Sequence, residues 1–94
     1  MEDIIHHKST TKGAFEYHID GKKMAEMVYV MAGEHKMIID HTEVDESLSG
    51  QGVGKKLLEQ LVSYVREHEI KVIPICPFAH ATFRRMKEWQ DVLV

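Results

Sequence analysis

The chain is poor in cysteine, proline and long apolar runs, and each shortage excludes a class of protein. Its single thiol, Cys76, can form no intrachain disulfide and cannot supply a four-cysteine zinc site, so a reducing compartment is expected. Only two prolines and six glycines are present, too few for a collagen-like or Pro-rich disordered chain. No stretch approaches the ~18 consecutive apolar residues that span a bilayer. The start, Met1-Glu2-Asp3, has acidic residues where a secretory signal needs basic ones. A soluble, cytoplasmic protein without membrane partners is expected. Basic charge is also scarce: a net charge of −3 gives no global field for nucleic-acid phosphates, so any anion site must be local.

What is present is ordinary globular material, 44% apolar and 29% charged over 94 residues, enough for one hydrophobic core and therefore one domain, residues 1–94. Residues 12–44 carry strand chemistry broken by turn signals at Asp20-Gly21 and Gly33-Glu34. Three antiparallel strands are predicted: Gly13 to Ile19, with Phe15, Tyr17 and Ile19 alternating against Ala14, Glu16 and His18; Lys23 to Ala32; and a third opening at Met37-Ile38-Ile39 and turning polar through Asp40-His41-Thr42-Glu43 before Val44. Met24, Met27 and Met31 of the second read as core or a dimer surface.

After a loop from Asp45 to Gly52 the period becomes 3.6, with Val53, Leu57, Leu58, Leu61, Val62 and Val65 on one stripe of a helix. Lys71 to Cys76 reads as a short strand that Pro74 pushes towards an edge. Pro77 then opens a second amphipathic helix marked by Phe78, Ala79, Phe83, Met86 and Trp89, to about residue 89. The expected fold is mixed α/β: an antiparallel strand meander leading into a right-handed βαβ crossover with a C-terminal helix.

Two groups of residues carry chemistry. Ser49-Gly50-Gln51-Gly52-Val53-Gly54-Lys55-Lys56 stands between a strand and the leucine-striped helix, where first-turn amides lack partners and the helix dipole favours an anion. The glycines let a phosphate approach the backbone, and the lysines add charge. A dinucleotide fingerprint is excluded because its last glycine gap is two residues where this chain has one, and an ATPase phosphate loop because Lys56 replaces its Ser or Thr. His41 and Cys76 end the two predicted parallel strands, the place where open α/β sheets bind ligands. A helix end alone, at about 0.3–1 kcal/mol, lowers a thiol pKa by less than one unit, so Cys76 needs a base, and His41 is the candidate. Both could equally be structural: a buried small hydrophobe and a hydrogen-bonded strand histidine.

The run Gly50-Gln51-Gly52-Val53-Gly54 with its helix resembles the GNAT acetyltransferase superfamily, whose pattern is Gln or Arg, two residues, Gly, one residue, then Gly or Ala. Gly52 and Gly54 match the last two positions; Ser49 departs at the first. With His41-Thr42-Glu43-Val44 before the loop and Pro74-Ile75-Cys76-Pro77-Phe78 after it, residues 12–88 look like the short "YjdJ-type" subfamily, which lacks the N-terminal helical region of the standard domain. The resemblance implies a minimal GNAT-like fold that binds acetyl-CoA as substrate. It places the coenzyme A pyrophosphate on Gln51, Gly52, Val53, Gly54 and Lys55, the pantetheine along Thr42, Glu43 and Val44, and Cys76 and His41 near the reactive end.

The expected activity is N-acetyl transfer to an unidentified amine, small molecule or protein, through direct attack or a Cys76 acyl intermediate. A non-catalytic acetyl-CoA-binding or sensing module and a protein-interaction domain are the alternatives, in a monomer or weak homodimer. Asp40, Glu43, Asp45 and Glu46 could attract an amine or form a solvated edge; His80, Arg84 and Lys87 could meet coenzyme A phosphates or line a wet helix face. No metal is expected, because no His-x-His or His-x₃-His pair occurs and only one thiol is present.

Overall fold

Alternating apolar residues and an amphipathic helix bury themselves only by meeting, and the layer they form here is one sheet under two helices. The computed structural model describes residues 1–94. In chain order the elements are β1 (Glu2–Lys8), β2 (Lys12–Ile19), β3 (Lys22–Met31), β4 (Lys36–Val44), α1 (Val53–Glu67), β5 (Lys71–Pro74) and α2 (Pro77–Arg85), with short 3-10 turns at Glu46–Leu48 and Lys87–Val92. The five strands lie in the order β1-β2-β3-β4-β5, antiparallel except for the final parallel pair. The mixed α/β meander and crossover read from the sequence are therefore present.

Phe15, Tyr17, Ala25, Met27, Tyr29, Met37, Ile39 and Val72 point to one face of the sheet, the inner one, where they join Leu57, Leu58, Leu61, Val62 and Val65 of α1 and Ala79 and Phe83 of α2 in one buried cluster. Burying a Leu or Val side chain contributes about 1.5–3 kcal/mol, so this stripe outweighs any surface ion pair in fixing α1. Met27 is core, and no residue facing outward from the sheet is buried.

Three boundaries differ from the sequence reading. The strand β1 was not expected, since Ile4-Ile5 is its only apolar pair. It forms because His6 behaves as an aromatic: its ring stacks on Phe15 at 4.0 Å, meets Tyr64 edge-on at 4.6 Å, and its Nε2 lies 2.6 Å from Tyr29 Oη. The second helix ends at Arg85, not near residue 89; Met86 (φ −97°, ψ 79°) leaves helical space, and buried Trp89 reaches the core from the 3-10 turn instead. The last strand stops at Pro74, and Cys76 instead caps α2.

Burial, followed by the nearby Lys8, His68 and His7 charges, holds the His6 pKa below its ordinary 6.5, while burial pushes Tyr29 up to about 12. The folded chain thus binds the His6 proton less readily than the unfolded chain. The resulting stability is fully present above pH 6.5 and is lost as pH falls through the depressed folded value. Urea midpoints should accordingly fall between about pH 7 and pH 5, and the slope should flatten in His6→Phe. An unchanged slope in that variant would remove His6 as the cause.

Candidate functional site

The glycine loop is built as an open cradle. Gly50 and Gly52 take positive φ (79° and 71°), and a Cβ added at either would meet nothing within 4 Å. Gly52 caps α1 without a side-chain hydrogen bond, and the first turn holds no acidic residue to compete for the helix end. The first helical bond runs from the Lys56 N–H to the Gly52 carbonyl at 3.0 Å, which leaves the N–H groups of Val53, Gly54 and Lys55 without intrahelical acceptors. The Gln51 N–H is already donated to the Leu48 carbonyl at 3.2 Å.

The two lysines have different roles. Lys56 turns back, its Nζ 5.9 Å from the centre of the Tyr17 ring, whereas Lys55 is exposed and makes no ion pair. Gly54 has a packing function of its own: a Cβ there would stand 2.6 Å from Phe78 Cζ, so α2 lays Phe78 across the start of α1.

Beside this cradle the sheet opens. Of the nine residues of β4 only Lys36 to Ile39 pair with β5. The Cys76 N–H reaches the Ile39 carbonyl at 3.0 Å and closes the pairing there. Thr42, Glu43 and Val44 then have β3 on one side and no strand on the other.

A bulge decides which side chains enter that opening. Ile39 pairs with Tyr29, yet His41 pairs with the adjacent Val28, so Asp40 is an extra residue. Before it, Met37 and Ile39 point inward; after it, Thr42 does, opposite Met27. A one-residue shift moves every later side chain to the other face. His41 therefore faces outward, where its partners are Asp40 (Nδ1 to Oδ2, 3.0 Å), Glu43 (3.8 Å) and Glu26 (4.0 Å). Thr42 takes the inward place, and its Oγ1 lies 3.3 Å from Cys76 Sγ. Cys76 is 2% exposed, and its sulfur makes no capping bond to α2. No hydrogen bond joins His41 to Cys76; the structure pairs the thiol with Thr42, a residue that strict alternation would have pointed outward.

Of the remaining candidates, Asp45 caps the Glu46–Leu48 turn through Ser47, whose hydroxyl bond, and then its backbone N–H bond, hold the Asp45 carboxyl below the usual carboxylate range. His80, Arg84 and Lys87 are exposed. No helix is long and apolar enough to cross a membrane.

Residues 14–92 match the family model described as GCN5-related N-acetyl-transferase. Among solved structures, the chain is 33% identical to a GCN5-like N-acetyltransferase candidate from Staphylococcus aureus, covering 100% of this chain and 91% of that one with a TM-score of 0.73. It shares the fold of a ribosomal-protein-alanine N-acetyltransferase from Brucella melitensis biovar Abortus 2308 (17% identity, TM-score 0.66), covering 92% of this chain and 64% of that one. It also shares the fold of a GNAT family acetyltransferase from Elizabethkingia anophelis with acetyl-CoA bound (13% identity, TM-score 0.65), covering 83% of this chain and 54% of that one. No curated protein matches the sequence significantly.

Proposed function

Since the chain belongs to the GCN5-related N-acetyltransferase family, we propose that it binds acetyl-CoA across the α1 cradle and the open side of β4, and transfers the acetyl group to an amine. The observation that carries this reading is the set of three unpaired N–H groups at Val53, Gly54 and Lys55, aimed from a helix start with no competing acid. They are the donors for the pyrophosphate; Gln51 and Gly52 shape the approach, and Lys55 supplies the free charge.

The unpaired edge at Thr42, Glu43 and Val44 offers backbone donors and acceptors to the pantetheine amides, as a strand would. This brings the thioester towards Thr42 and Cys76. The attacking neutral amine forms the C–N bond, the C–S bond breaks, the departing thiolate takes a proton from Cys76, and the proton shed by the amine nitrogen restores the Cys76 thiol. Cys76 is the proton donor in this reading, passing the proton from Sγ with the Thr42 hydroxyl beside it. His41, turned to the other face, stands outside the acyl step.

Adding coenzyme A in excess should move the amide resonances of residues 52–55 and 42–44 together. Resonances that stay still in both segments would overturn the cofactor assignment. Binding without turnover is a second reading, favoured by a Cys76 thiol that is buried and has no histidine within hydrogen-bond reach. Thiol release from acetyl-CoA, measured against a panel of amine acceptors, separates the two: release above the rate without acceptor supports transfer.

A further inference from the structure

The outer face of the sheet, on the opposite side from Cys76, carries a row of carboxylates. Glu16 stands directly across from Glu26, and Glu26 directly across from Glu43, on β2, β3 and β4. Like charges opposed in register destabilise a sheet unless cations stand among them. Glu16 is served by His18 at 2.9 Å and His7 at 3.4 Å, and Glu26 Oε1 by Lys23 Nζ at 2.9 Å. Glu26 Oε2 and Glu43 Oε1 are left facing His41 Nε2 at 4.0 and 3.8 Å, too far for hydrogen bonds.

His41 is oriented towards this gap. The bulge turns both Asp40 and His41 outward, so the Asp40 carboxylate holds Nδ1 at 3.0 Å and leaves Nε2 directed at the two glutamates. Metal-bound histidines are held in this way, the far ring nitrogen donating to a carboxylate that fixes tautomer and orientation. The three donor atoms lie within 4.8 Å of one another. Donors about a tetrahedral ion at ~2.0–2.2 Å stand ~3.3–3.6 Å apart, so each His41–glutamate distance closes by roughly 0.5 Å and no pair by more than about 1.5 Å, within the reach of side-chain rotation at an exposed site.

We infer that Glu26, His41 and Glu43 form a binding site for a divalent transition-metal ion of the zinc class, with water completing the coordination. One imidazole and two carboxylates suit Zn²⁺ better than the all-oxygen shells of Mg²⁺ and Ca²⁺ or the thiolate sites of Cu(I). The site adjoins an open depression of about 260 Å³ lined by Lys23, Glu26, Glu43 and Asp45 among others, which gives the water access. The ligands come from two strands in cross-strand register, a juxtaposition that a search for His-x-His spacing does not find. The ligand side chains lie on the sheet face opposite Cys76; Glu43 is shared with the proposed pantetheine edge only through its backbone, so the metal site does not depend on the acetyl-CoA reading.

Equilibrium dialysis of the untagged chain against Zn²⁺, with Co²⁺ absorption as the probe of coordination, tests the inference. One Zn²⁺ per chain is expected, with visible bands of four-coordinate Co²⁺ that Zn²⁺ displaces. His41→Ala, Glu26→Gln and Glu43→Gln should each weaken binding more than tenfold, and Asp40→Asn by about 10–100-fold. His35→Ala, away from the cluster, should bind as the parent does. The glutamine variants preserve shape, and circular dichroism checks their fold. Absence of stoichiometric uptake, six-coordinate Co²⁺ spectra throughout, or uptake that persists in the folded glutamine variants would overturn the site, and the first two outcomes are read on the parent protein alone.

Discussion

Gly13→Ala is expected to destabilise the protein by about 2–4 kcal/mol, from overpacking of about 1–3 kcal/mol together with weakening of a buried hydrogen bond worth about 1 kcal/mol. Gly13 lies in β2 directly opposite Tyr29, and a Cβ there would stand 2.5 Å from Tyr29 Oη and 2.6 Å from the His7 carbonyl. Neither neighbour can yield cheaply. The carbonyl belongs to the β1–β2 pairing, and Tyr29 is 2% exposed with its hydroxyl 2.6 Å from His6. For a chain of this size the melting temperature should fall by on the order of 10 °C or more. Gly33→Ala is the contrasting case: it has open space around its Cβ and φ of +96°, so it should cost only the ~1–2 kcal/mol of a left-handed backbone. Equal losses at the two positions would mean that Tyr29 does not clamp the strand.

Gly52→Ala is expected to reduce coenzyme A affinity at least tenfold, about 1.4 kcal/mol, beyond its effect on folding. Its φ of 71° makes any side chain cost ~1–2 kcal/mol in stability. The added methyl meets no protein atom within 4 Å, so it projects into the space the pyrophosphate is proposed to fill. Gly50, with φ of 79° and equally open surroundings, carries the same backbone cost but lies two residues before the helix cap. Calorimetric titration of the two variants should therefore show similar stabilities and different affinities. If both bind coenzyme A as the parent does, the phosphate is not held at this loop.

Much of the architecture could be read from residue types alone. The stripe from Val53 to Val65 has the helix period over more than three turns, and Pro77 announces α2, because these signals are local. The strand β1 was hidden because its inward positions are Ile4 and His6, and a histidine counts as polar until an aromatic neighbourhood receives it. The end of α2 was hidden for the opposite reason: Met86 and Trp89 keep the apolar spacing after the backbone has left the helix, since burial does not require a continuous helix.

At the candidate site the glycine spacing located the cradle. It did not reveal that Gln51 spends its amide on Leu48 or that Lys56 turns to Tyr17, both being tertiary contacts. The pairing of His41 with Cys76 rests on their places at the ends of two predicted parallel strands, which does not say which face of β4 each side chain takes. One inserted residue, Asp40, exchanges the faces and puts Thr42 beside the thiol. Nothing in the run Ile39-Asp40-His41-Thr42 marks a bulge, because it is set by registration against β3.

The strands also lie side by side in the order in which they occur along the chain. Each antiparallel neighbour is thus reached by closing a short hairpin, which costs little chain entropy, and only β5 must wait for the whole of α1 to be spanned before it docks. Assembly then has a natural sequence: β1 to β4 zip together from local encounters, while the α1 cradle and the cleft beside β4 come into being with the late, long-range closure. The half of the molecule proposed to hold acetyl-CoA is thus the last to close, and a bound molecule bridging α1 and β4 would act as a tether across that seam.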